Sequence, residues 1–357
     1  MTTTLLSFDR IQALAEAALR GCGVNAPNAA SVAHSIACAE RDGQAIVGLS
    51  YLPTYCDHAA CGKVDGQAQP TLAHRSPVAL HVDAAGGFAH PSLALGLAPL
   101  ALAARSQGVA VLAVGNSYAC GSLGYFVEEL ATQGLVALMA ANASPSIAPW
   151  GGKRPFFGTN PIAFGVPRAG RPPFIIDQSS STVARVAVLD AHRRGVPLPE
   201  GWALDAEGQP TQDPQAAMKG SMMPLGGYKG AGLALMVDVL AAGLTGAHYS
   251  HEVSSFGDTS GGPPCSGQLV VAFDPERLRG PGFADALERM LQAMQEGSGV
   301  RLPGDRRLEA RARHASGVTI DDALIATLQR YAVQGSSAAP GDNLVPIILN
   351  PAVTLPL

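Results

Sequence analysis

A glycine-rich turn directly before an apolar helix is the strongest candidate binding site in the chain. Residues 224–230 read Pro-Leu-Gly-Gly-Tyr-Lys-Gly, and an apolar stretch with helical spacing begins at Ala231. The first backbone N–H groups of a helix attract anions, and Lys229 adds a positive charge. The turn therefore predicts a phosphate-binding site, with a purely structural tight turn as an equally weighted alternative.

Two further junctions contain residues that could bind a ligand. Residues 116–121 read Asn-Ser-Tyr-Ala-Cys-Gly and separate a predicted strand from a predicted helix, which favours an N-cap turn over a binding loop. Residues 301–307 read Arg-Leu-Pro-Gly-Asp-Arg-Arg, a basic turn that composition alone assigns to the solvated surface. Neither a GxGxxG motif after a predicted strand nor a GxxxxGK[ST] motif occurs, which argues against a Rossmann domain or a P-loop.

Metal chemistry is not indicated. The six cysteines form no CxxC pair and have no zinc-ligand spacing, so they are interpreted as free thiols in a reducing cytosol. His248 and His251 have helical i, i+3 spacing, but Glu252 would point away from their face. The remaining histidines are assigned to the surface or to satisfied core positions. We therefore predict no metal site.

Composition limits the partners. The chain has 357 residues, a net charge of −4, 47% hydrophobic residues and 15% charged residues, without a basic stripe. Nucleic acid and membranes are therefore poor candidates. The first ten residues lack the pattern of a secretion signal, and the apolar stretch 230–247 is too short to span a bilayer and contains Asp238. We expect a cytoplasmic protein with a buried helix in this stretch.

The elements that position these motifs follow from periodicity. Short apolar runs predict buried strands at 109–114, 135–139, 162–166, 174–176 and 268–273. Helical spacing predicts helices near both ends, at 91–106, 121–132, 230–243, 283–294 and 320–331, and from Ser7 and Asn28 onward. Strands and helices do not alternate regularly. The predicted fold class is therefore α/β with a mixed sheet and with helical parts at the N- and C-terminal ends.

Five motifs occur in an order that chance would not supply: 149–152 (Pro-Trp-Gly-Gly) with 158–161 (Gly-Thr-Asn-Pro), 177–182 (Asp-Gln-Ser-Ser-Ser-Thr), 198–203 (Leu-Pro-Glu-Gly-Trp-Ala), 224–230, and 303–306 (Pro-Gly-Asp-Arg). Over about residues 5–332 the chain resembles the malate/L-lactate dehydrogenase-like family, which also contains ureidoglycolate dehydrogenase, sulfolactate dehydrogenase and piperideine-carboxylate reductase. The resemblance implies a non-Rossmann NAD(P)-binding fold, a homodimer, and an active site for a small molecule near the subunit interface.

The resemblance also implies a domain division and site residues. Residues 1–105 would form an N-terminal helical and dimerisation part to which 305–345 returns, residues 106–304 the NAD(P)-binding domain, and residues 335–357 a tail or an arm. Thr159 would lie beside the substrate. The residues expected to line the dinucleotide are Ala119, Cys120, Gly121, Ser122, Leu123, Asp177, Gln178, Ser179, Tyr228, Lys229, Pro303, Gly304, Asp305, Arg306 and Arg307.

The chain departs from its family at the acid–base positions. The family motif Ser-His-Gly, followed by Arg, is replaced by Ile46-Val-Gly and then Tyr51, so Val47 stands where the family has its proton donor. A second family histidine corresponds to Ala119. The acidic residue expected near Arg185 is also missing, since Val-Ala-Val follows Arg185. Val47, Thr159 and Arg185 remain the candidate substrate-binding residues.

These losses change the predicted chemistry. Reduction of a ketone places charge on oxygen and benefits from a positioned acid, whereas reduction of a protonated imine does not need one in the hydride step. We therefore predict an NAD(P)H-dependent reductase of a C=N or related acceptor, with Tyr51 and Tyr118 as the nearest candidate catalytic groups. The alternatives are a 2-hydroxy acid dehydrogenase with a relocated acid and a non-catalytic NAD(P)-binding scaffold. Two adjacent arginines, Arg306 and Arg307, favour NADPH over NADH.

Overall fold

The computed structural model describes residues 2–297 and 299–335, so the predicted tail 335–357 lies outside the described residues except for Gly335. The strands are β1 (Thr3–Leu6), β2 (Thr71–Ser76), β3 (Ala79–Asp83), β4 (Val109–Ser117), β5 (Val136–Ala141), β6 (Ile162–Arg168), β7 (Arg171–Gln178), β8 (Ala203–Leu204), β9 (Pro210–Thr211), β10 (Ser221–Met222), β11 (Ser266–Phe273) and β12 (Val318–Asp321). The helices are α1 (Phe8–Gly21), α2 (Ala26–Arg41), α3 (Leu52–Ala60), α4 (Ala89–Gln107), α5 (Leu123–Thr132), α6 (Arg185–Arg194), α7 (Pro214–Lys219), α8 (Tyr228–Asp238), α9 (Pro275–Arg279), α10 (Phe283–Gln295), α11 (Asp305–Arg313) and α12 (Asp322–Gln334).

The central sheet is mixed, as the sequence predicts. In the described part of the chain it has seven strands in the order β2-β3-β4-β11-β5-β6-β7. Only the pair β3 and β4 is parallel there, and the other neighbours are antiparallel. A Rossmann sheet is mostly parallel and built from βαβ units. This sheet therefore belongs to a different α/β architecture.

The five predicted strands all lie in this sheet, because each apolar run is buried. Helices α4 and α5 pack on the sheet, and the shared core contains Leu97, Leu112, Val127, Met139 and Val270. This arrangement fixes the position of the turn between β4 and α5, which is one of the predicted ligand-binding junctions.

A second core joins the two ends of the described chain. Helix α1 packs against α2 and α12, and β1 pairs antiparallel with β12. The core includes Ile11, Ile36 and Leu328. One boundary was predicted wrongly: Ile320 belongs to β12, and the last helix begins at Asp322, with Asp321 accepting a hydrogen bond from the N–H of Ala323 at 2.8 Å. Strand pairing with the N-terminal segment overrides the local helical spacing.

The stretch predicted as one buried helix has a buried face and an exposed face. Helix α8 buries Ala234 and Val237, whereas Leu235 and Met236 are exposed, and the chain continues as a π-helical turn over Val239–Gly243. Asp238 is buried, and its carboxylate accepts hydrogen bonds from the N–H and Oγ of Ser250 at 3.1 and 2.7 Å. Within the described residues no helix is long and apolar enough to cross a membrane.

Candidate active site

The turn between β4 and α5 is capped by a carboxylate from β7. Asp177 accepts hydrogen bonds from the N–H of Gly124 at 2.7 Å and from Oγ of Ser122 at 2.9 Å. The carboxylate satisfies a free N–H group in the first turn of α5, where a negative charge is also favoured by the helix dipole. Asp177 and Gln178 nevertheless remain exposed at the end of β7. The structure thus brings the predicted segments 118–123 and 177–179 together.

Residues 180–182 continue from this point and hold the glycine-rich turn before α8. The N–H of Ser180 donates to the carbonyl of Thr159 at 2.7 Å, and the N–H of Leu225 donates to the carbonyl of Ser180 at 2.9 Å. The N–H of Thr182 donates to the carbonyl of Met223 at 2.8 Å. These bonds place Thr159, the serine-rich segment and the turn at 224–230 side by side, as expected for one continuous site.

The turn before α8 has the form of an anion cradle. Gly226 and Gly227 have φ values of +62° and +68°, which favour glycine, and no side chain caps the N-terminus of α8. Lys229 is exposed in the first turn of the helix. Tyr228 is 62% exposed and packs edge-on against Trp150, with ring centroids 6.2 Å apart. Free helical N–H groups, a lysine and exposed aromatic rings together fit a phosphate-bearing ligand with flat rings.

The second basic turn lies against β7. Gly304 precedes α11 with a φ of +92°, and a Cβ atom there would lie 3.3 Å from the carbonyl oxygen of Ile175. Asp305 accepts a hydrogen bond from the N–H of Leu302 at 3.0 Å, which fixes the turn. Pro303 and Arg306 are exposed. The loop predicted to line the dinucleotide is therefore adjacent to β7, the strand that carries Asp177.

Arg307 is much less exposed than Arg306. Its side chain is only 9% exposed, and its guanidinium contacts Glu128 at 3.3 Å and Asp42 at 3.6 Å. Arg311 binds the same two carboxylates at 2.5–2.7 Å. Arg307 therefore fastens α11 to α2 and α5, and its contact with a cofactor phosphate stays a prediction. Of the two adjacent arginines, Arg306 is the exposed one.

The residues around these turns fit an NAD(P) cofactor. Two helix N-termini without side-chain caps, at Gly227 and Gly304, border the same strand end, and Lys229 and Arg306 supply exposed positive charge. Within the described residues, no group of three or more His, Cys, Asp or Glu side chains could hold a metal ion.

The candidate reaction centre lies beside Gly121. A Cβ atom placed on Gly121 would lie 3.7 Å from the hydroxyl oxygen of Tyr55, and 4.0 Å from both Nε2 of His90 and Cβ of Val47. The position of the missing family histidine, Val47, thus adjoins the predicted dinucleotide turn. The groups that meet there are a methyl-bearing side chain, a phenol and an imidazole.

Tyr118 lies in a buried aromatic cluster. Its side chain is fully buried, and its hydroxyl is hydrogen bonded to Nδ1 of His58. Its ring packs edge-on against Phe88 and Phe256 at 5.7 and 5.3 Å. Burial raises the pKa of Tyr118 well above its ordinary value. Tyr118 belongs to the aromatic core, and a catalytic role for it stays a prediction.

Tyr51 lies at the edge of the same aromatic cluster. Its ring packs edge-on against Tyr55 with centroids 4.9 Å apart, and its hydroxyl donates to the carbonyl of Phe256 at 3.5 Å. Burial raises the pKa of Tyr51, so the phenol stays protonated at neutral pH. Tyr51 is therefore a wall of the site and a weak proton donor.

His90 also borders the point beside Gly121, although no sequence motif marks it. It lies in the first turn of α4, is 3% exposed, and has no hydrogen-bond partner for Nδ1 among the described residues. Burial lowers its pKa to about 4. In the sequence, His90 is the single polar ring in segment 84–104. That fact alone could not distinguish a site residue from a core residue.

Arg185 lines a different part of the protein from the candidate reaction centre. It is at the start of α6 and lines a narrow cleft with Val188, Met218 and Met222. Neither Val47 nor Thr159 lines this cleft. The cleft belongs to the small layer formed by α6, α7 and the strands β8–β10, so a substrate contact of Arg185 stays a prediction.

The protein has a mixed α/β fold whose candidate cofactor-binding elements are turns and helix starts outside a Rossmann sheet. The profile of the family described as "Malate/L-lactate dehydrogenase" matches residues 6–329. The chain belongs to this family.

Relatives of known activity cover nearly the whole chain. A (2R)-3-sulfolactate dehydrogenase (NADP(+)) from Chromohalobacter salexigens is 46% identical over 329 residues, covering 92% of this chain and 98% of the relative. A Delta(1)-pyrroline-2-carboxylate/Delta(1)-piperideine-2-carboxylate reductase from Pseudomonas putida is 40% identical, covering 87% and 91%. The crystal structure of delta1-piperideine-2-carboxylate reductase from Pseudomonas syringae pvar. tomato is similar with a TM-score of 0.88 at 39% identity, covering 92% of this chain and 100% of that one.

Proposed function

We propose that this protein is an NADPH-dependent reductase of a cyclic imine whose binding does not depend on a carboxylate clamp. The observation that carries the proposal is the set of side chains at Gly121: Val47, Tyr55 and His90 supply no positive charge and no strong acid. Relatives that reduce cyclic C=N bonds and one that uses NADP(+) support the same reaction type and cofactor.

The cofactor would be held at the two helix starts. Bound NADPH would supply the hydride for the reduction. Lys229 and the N–H groups of the first turn of α8 would bind phosphate, and Arg306 would contact the 2′-phosphate. The exposed rings of Tyr228 and Trp150 offer flat apolar surface beside the cradle.

The kind of substrate follows from the charged side chains that the family has and this chain lacks. Tyr51 replaces the family arginine and cannot form a bidentate pair with a carboxylate. A protonated cyclic imine carries its own proton, so hydride addition only neutralises charge, and the exclusion of water by Tyr51, Tyr55 and Phe256 favours that step. The same side chains would disfavour a small 2-oxo acid, which needs both a cation and an acid.

The test is a panel of acceptors with the purified protein and NADPH. Absorbance at the NADPH band is followed with Δ1-piperideine, Δ1-piperideine-2-carboxylate, pyruvate and oxaloacetate. We expect turnover of the unsubstituted imine to equal or exceed that of the carboxylate. Turnover of pyruvate alone would favour a 2-hydroxy acid dehydrogenase with a relocated acid. Tight NADPH binding with no turnover of any acceptor would favour a non-catalytic scaffold.

We further propose that the protein is a homodimer that uses the exposed face of α8. Tyr228, Leu235, Met236 and Val239 are all more than 40% exposed and recur at helical spacing on one face. An apolar stripe of this kind on a helix is typical of a surface covered by another subunit. Because α8 begins at the phosphate cradle, this contact would place the dinucleotide beside the partner subunit.

A further inference from the structure

We propose that Lys63 is a positioning residue for the substrate site: its buried ammonium group holds the loop 254–262 across α3, and the loop places Phe256 against Tyr51. This inference rests on the proposed imine reduction, in which Tyr51 and Phe256 help to exclude water from the acceptor. It adds the contact that keeps this wall of the site in place.

The loop 254–262 is a compact surface loop whose two ends meet. The chain forms no helix or strand between Glu252 and Ser266. Oγ of Ser254 donates a hydrogen bond to the carbonyl of Gly262 at 2.8 Å, which joins the ends of the loop. Compact loops with joined ends are omega loops, and such loops frequently carry functional residues.

Side chains of α3 and of the turn after it bind the loop through its backbone carbonyls. Nζ of Lys63 donates to the carbonyls of Asp258 at 2.8 Å and of Ser260 at 2.5 Å, and it lies 4.0 Å from the Asp258 carboxylate. At the other end of α3, the hydroxyl of Tyr51 donates to the carbonyl of Phe256 at 3.5 Å. The loop is therefore bound at both ends of this helix.

Lys63 is buried although its partners lie on an exposed loop. Its side chain is 1% exposed, whereas that of Asp258 is 47% exposed. A lysine is almost never fully buried unless it is paired, because removing an ammonium group from water costs free energy. Opening of the loop would expose the ammonium group and break both of its hydrogen bonds to carbonyls. Lys63 therefore favours the closed position of the loop.

The loop reaches the substrate site through Phe256. This side chain is partly buried and packs against the second core, as Tyr51 and Ala119 do. Its ring lies edge-on to that of Tyr118, with centroids 5.3 Å apart. The family resemblance places a substrate-binding arginine and a histidine at the positions of Tyr51 and Ala119. Release of the loop would therefore remove part of the wall around the acceptor.

The experiment compares Lys63→Met, which keeps an unbranched side chain without the charge, with Lys219→Met at an exposed position on α7 as the matched control. Amide hydrogen exchange followed by mass spectrometry measures opening of the loop. Steady-state kinetics with NADPH and Δ1-piperideine measure the effect on the site. Phe256→Ala and the double variant Lys63→Met/Phe256→Ala complete a double-mutant cycle.

We expect faster exchange in the loop 254–262 of Lys63→Met and no change in Lys219→Met. KM for the imine should rise about 10-fold in Lys63→Met, with kcat and NADPH affinity nearly unchanged, because only substrate binding is weakened. In the Phe256→Ala background, Lys63→Met should change KM little further, since its effect passes through the phenyl ring. A rise in KM of the same size in both backgrounds would overturn the positioning role, as would unchanged exchange of the loop.

A measurement on the wild type covers the case in which Lys63→Met does not fold. Acetylation of amines with acetic anhydride, followed by mass spectrometry, should modify Lys63 at least about 10-fold more slowly than Lys219, because the loop must open before the reagent reaches Lys63. Modification of Lys63 as fast as that of Lys219 would overturn the proposal.

These measurements separate the inference from the proposed function. If the wild type binds NADPH but reduces no imine, the proposed function fails, whereas loop exchange and lysine modification still test the contact between Lys63 and the loop. If the wild type reduces the imine and Lys63→Met changes neither loop exchange nor KM, only the role of Lys63 fails.

Discussion

The carboxylate of Glu40 accepts a hydrogen bond from the backbone N–H of Leu49 at 2.7 Å, directly behind the turn that carries Val47. Glu40 is 3% exposed, and a Cβ atom on Gly48 would lie 2.4 Å from its Oε1. The turn that positions one wall of the site is therefore held by a single buried acidic side chain on α2.

Replacement of Glu40 should change how stability depends on pH. Burial raises the pKa of Glu40 to about 7, against the opposing hydrogen bond from Leu49. In the unfolded state this carboxyl has a pKa of about 4.3, so between about pH 4.3 and 7 it is ionised in the unfolded state and still protonated in the folded state. The folded state therefore loses stability as pH rises through this range. Glu40→Gln keeps an acceptor and removes this penalty, so its stability relative to wild type should rise by up to about 3 kcal/mol between pH 4.5 and 8. Urea unfolding at both pH values measures the difference in unfolding free energy between Glu40→Gln and wild type, with Glu207→Gln at an exposed position as the control. The same dependence of stability on pH in Glu40→Gln and wild type would contradict the prediction.

The two adjacent arginines should give different phenotypes. Arg306→Ala should weaken NADPH binding by about 10-fold and leave NADH binding nearly unchanged, since it removes an exposed contact to the 2′-phosphate. Arg307→Ala leaves two buried carboxylates with one fewer cation and should cost about 3 kcal/mol of stability. Fluorescence titration with both cofactors and thermal unfolding test the pair. Equal loss of NADPH and NADH affinity in Arg306→Ala would remove the 2′-phosphate role.

The exposed face of α8 should determine assembly. Met236→Glu places a charge in the middle of this face and should convert a dimer to a monomer in light scattering at micromolar concentration. Leu278→Glu, on the exposed side of α9, is the matched control and should stay dimeric. Val333→Glu on α12 tests the alternative that the N-terminal part forms the contact. A monomeric wild type would contradict the dimer altogether.

Restoring one histidine should not restore keto-acid chemistry. Val47→His places an imidazole at the family position, yet Tyr51 still cannot pair with a carboxylate and positions 186–188 after Arg185 hold no acidic residue. We expect the variant to reduce pyruvate and oxaloacetate no faster than wild type, measured by NADPH oxidation. Val47→Asn serves as a polar control without an acid. A strong gain with pyruvate in Val47→His would mean that the substrate carboxylate is bound by another group.

The strands of the central sheet were predictable from the sequence because burial of both sheet faces leaves a continuous apolar run, as in β11. Strands β1 and β12 were not predictable. They are four residues long and pair with each other across nearly the whole chain, so local spacing around Ile320 indicated a helix. Pairings of this kind depend on the tertiary structure.

The site was predictable only where a motif fixes the backbone. The turn at 224–230 is bonded through Leu225 to Ser180, three residues after Asp177, in the serine-rich motif that follows β7. Arg306 and Arg307 looked equivalent in the sequence, but neighbouring residues on a helix point about 100° apart, so one faces solvent and the other faces the core. His90 carries no motif, and only the packing around Gly121 reveals it.

The pairing of β1 with β12, and of α1 with α12, also constrains the order of folding during synthesis. The core that contains Ile11 and Ile36 also contains Leu328, so it cannot close until the last helix has left the ribosome. The central sheet can assemble earlier, because β2 to β11 and their covering helices are complete by residue 273. Helices α1 and α2 are therefore synthesised long before the helix α12 against which their core closes.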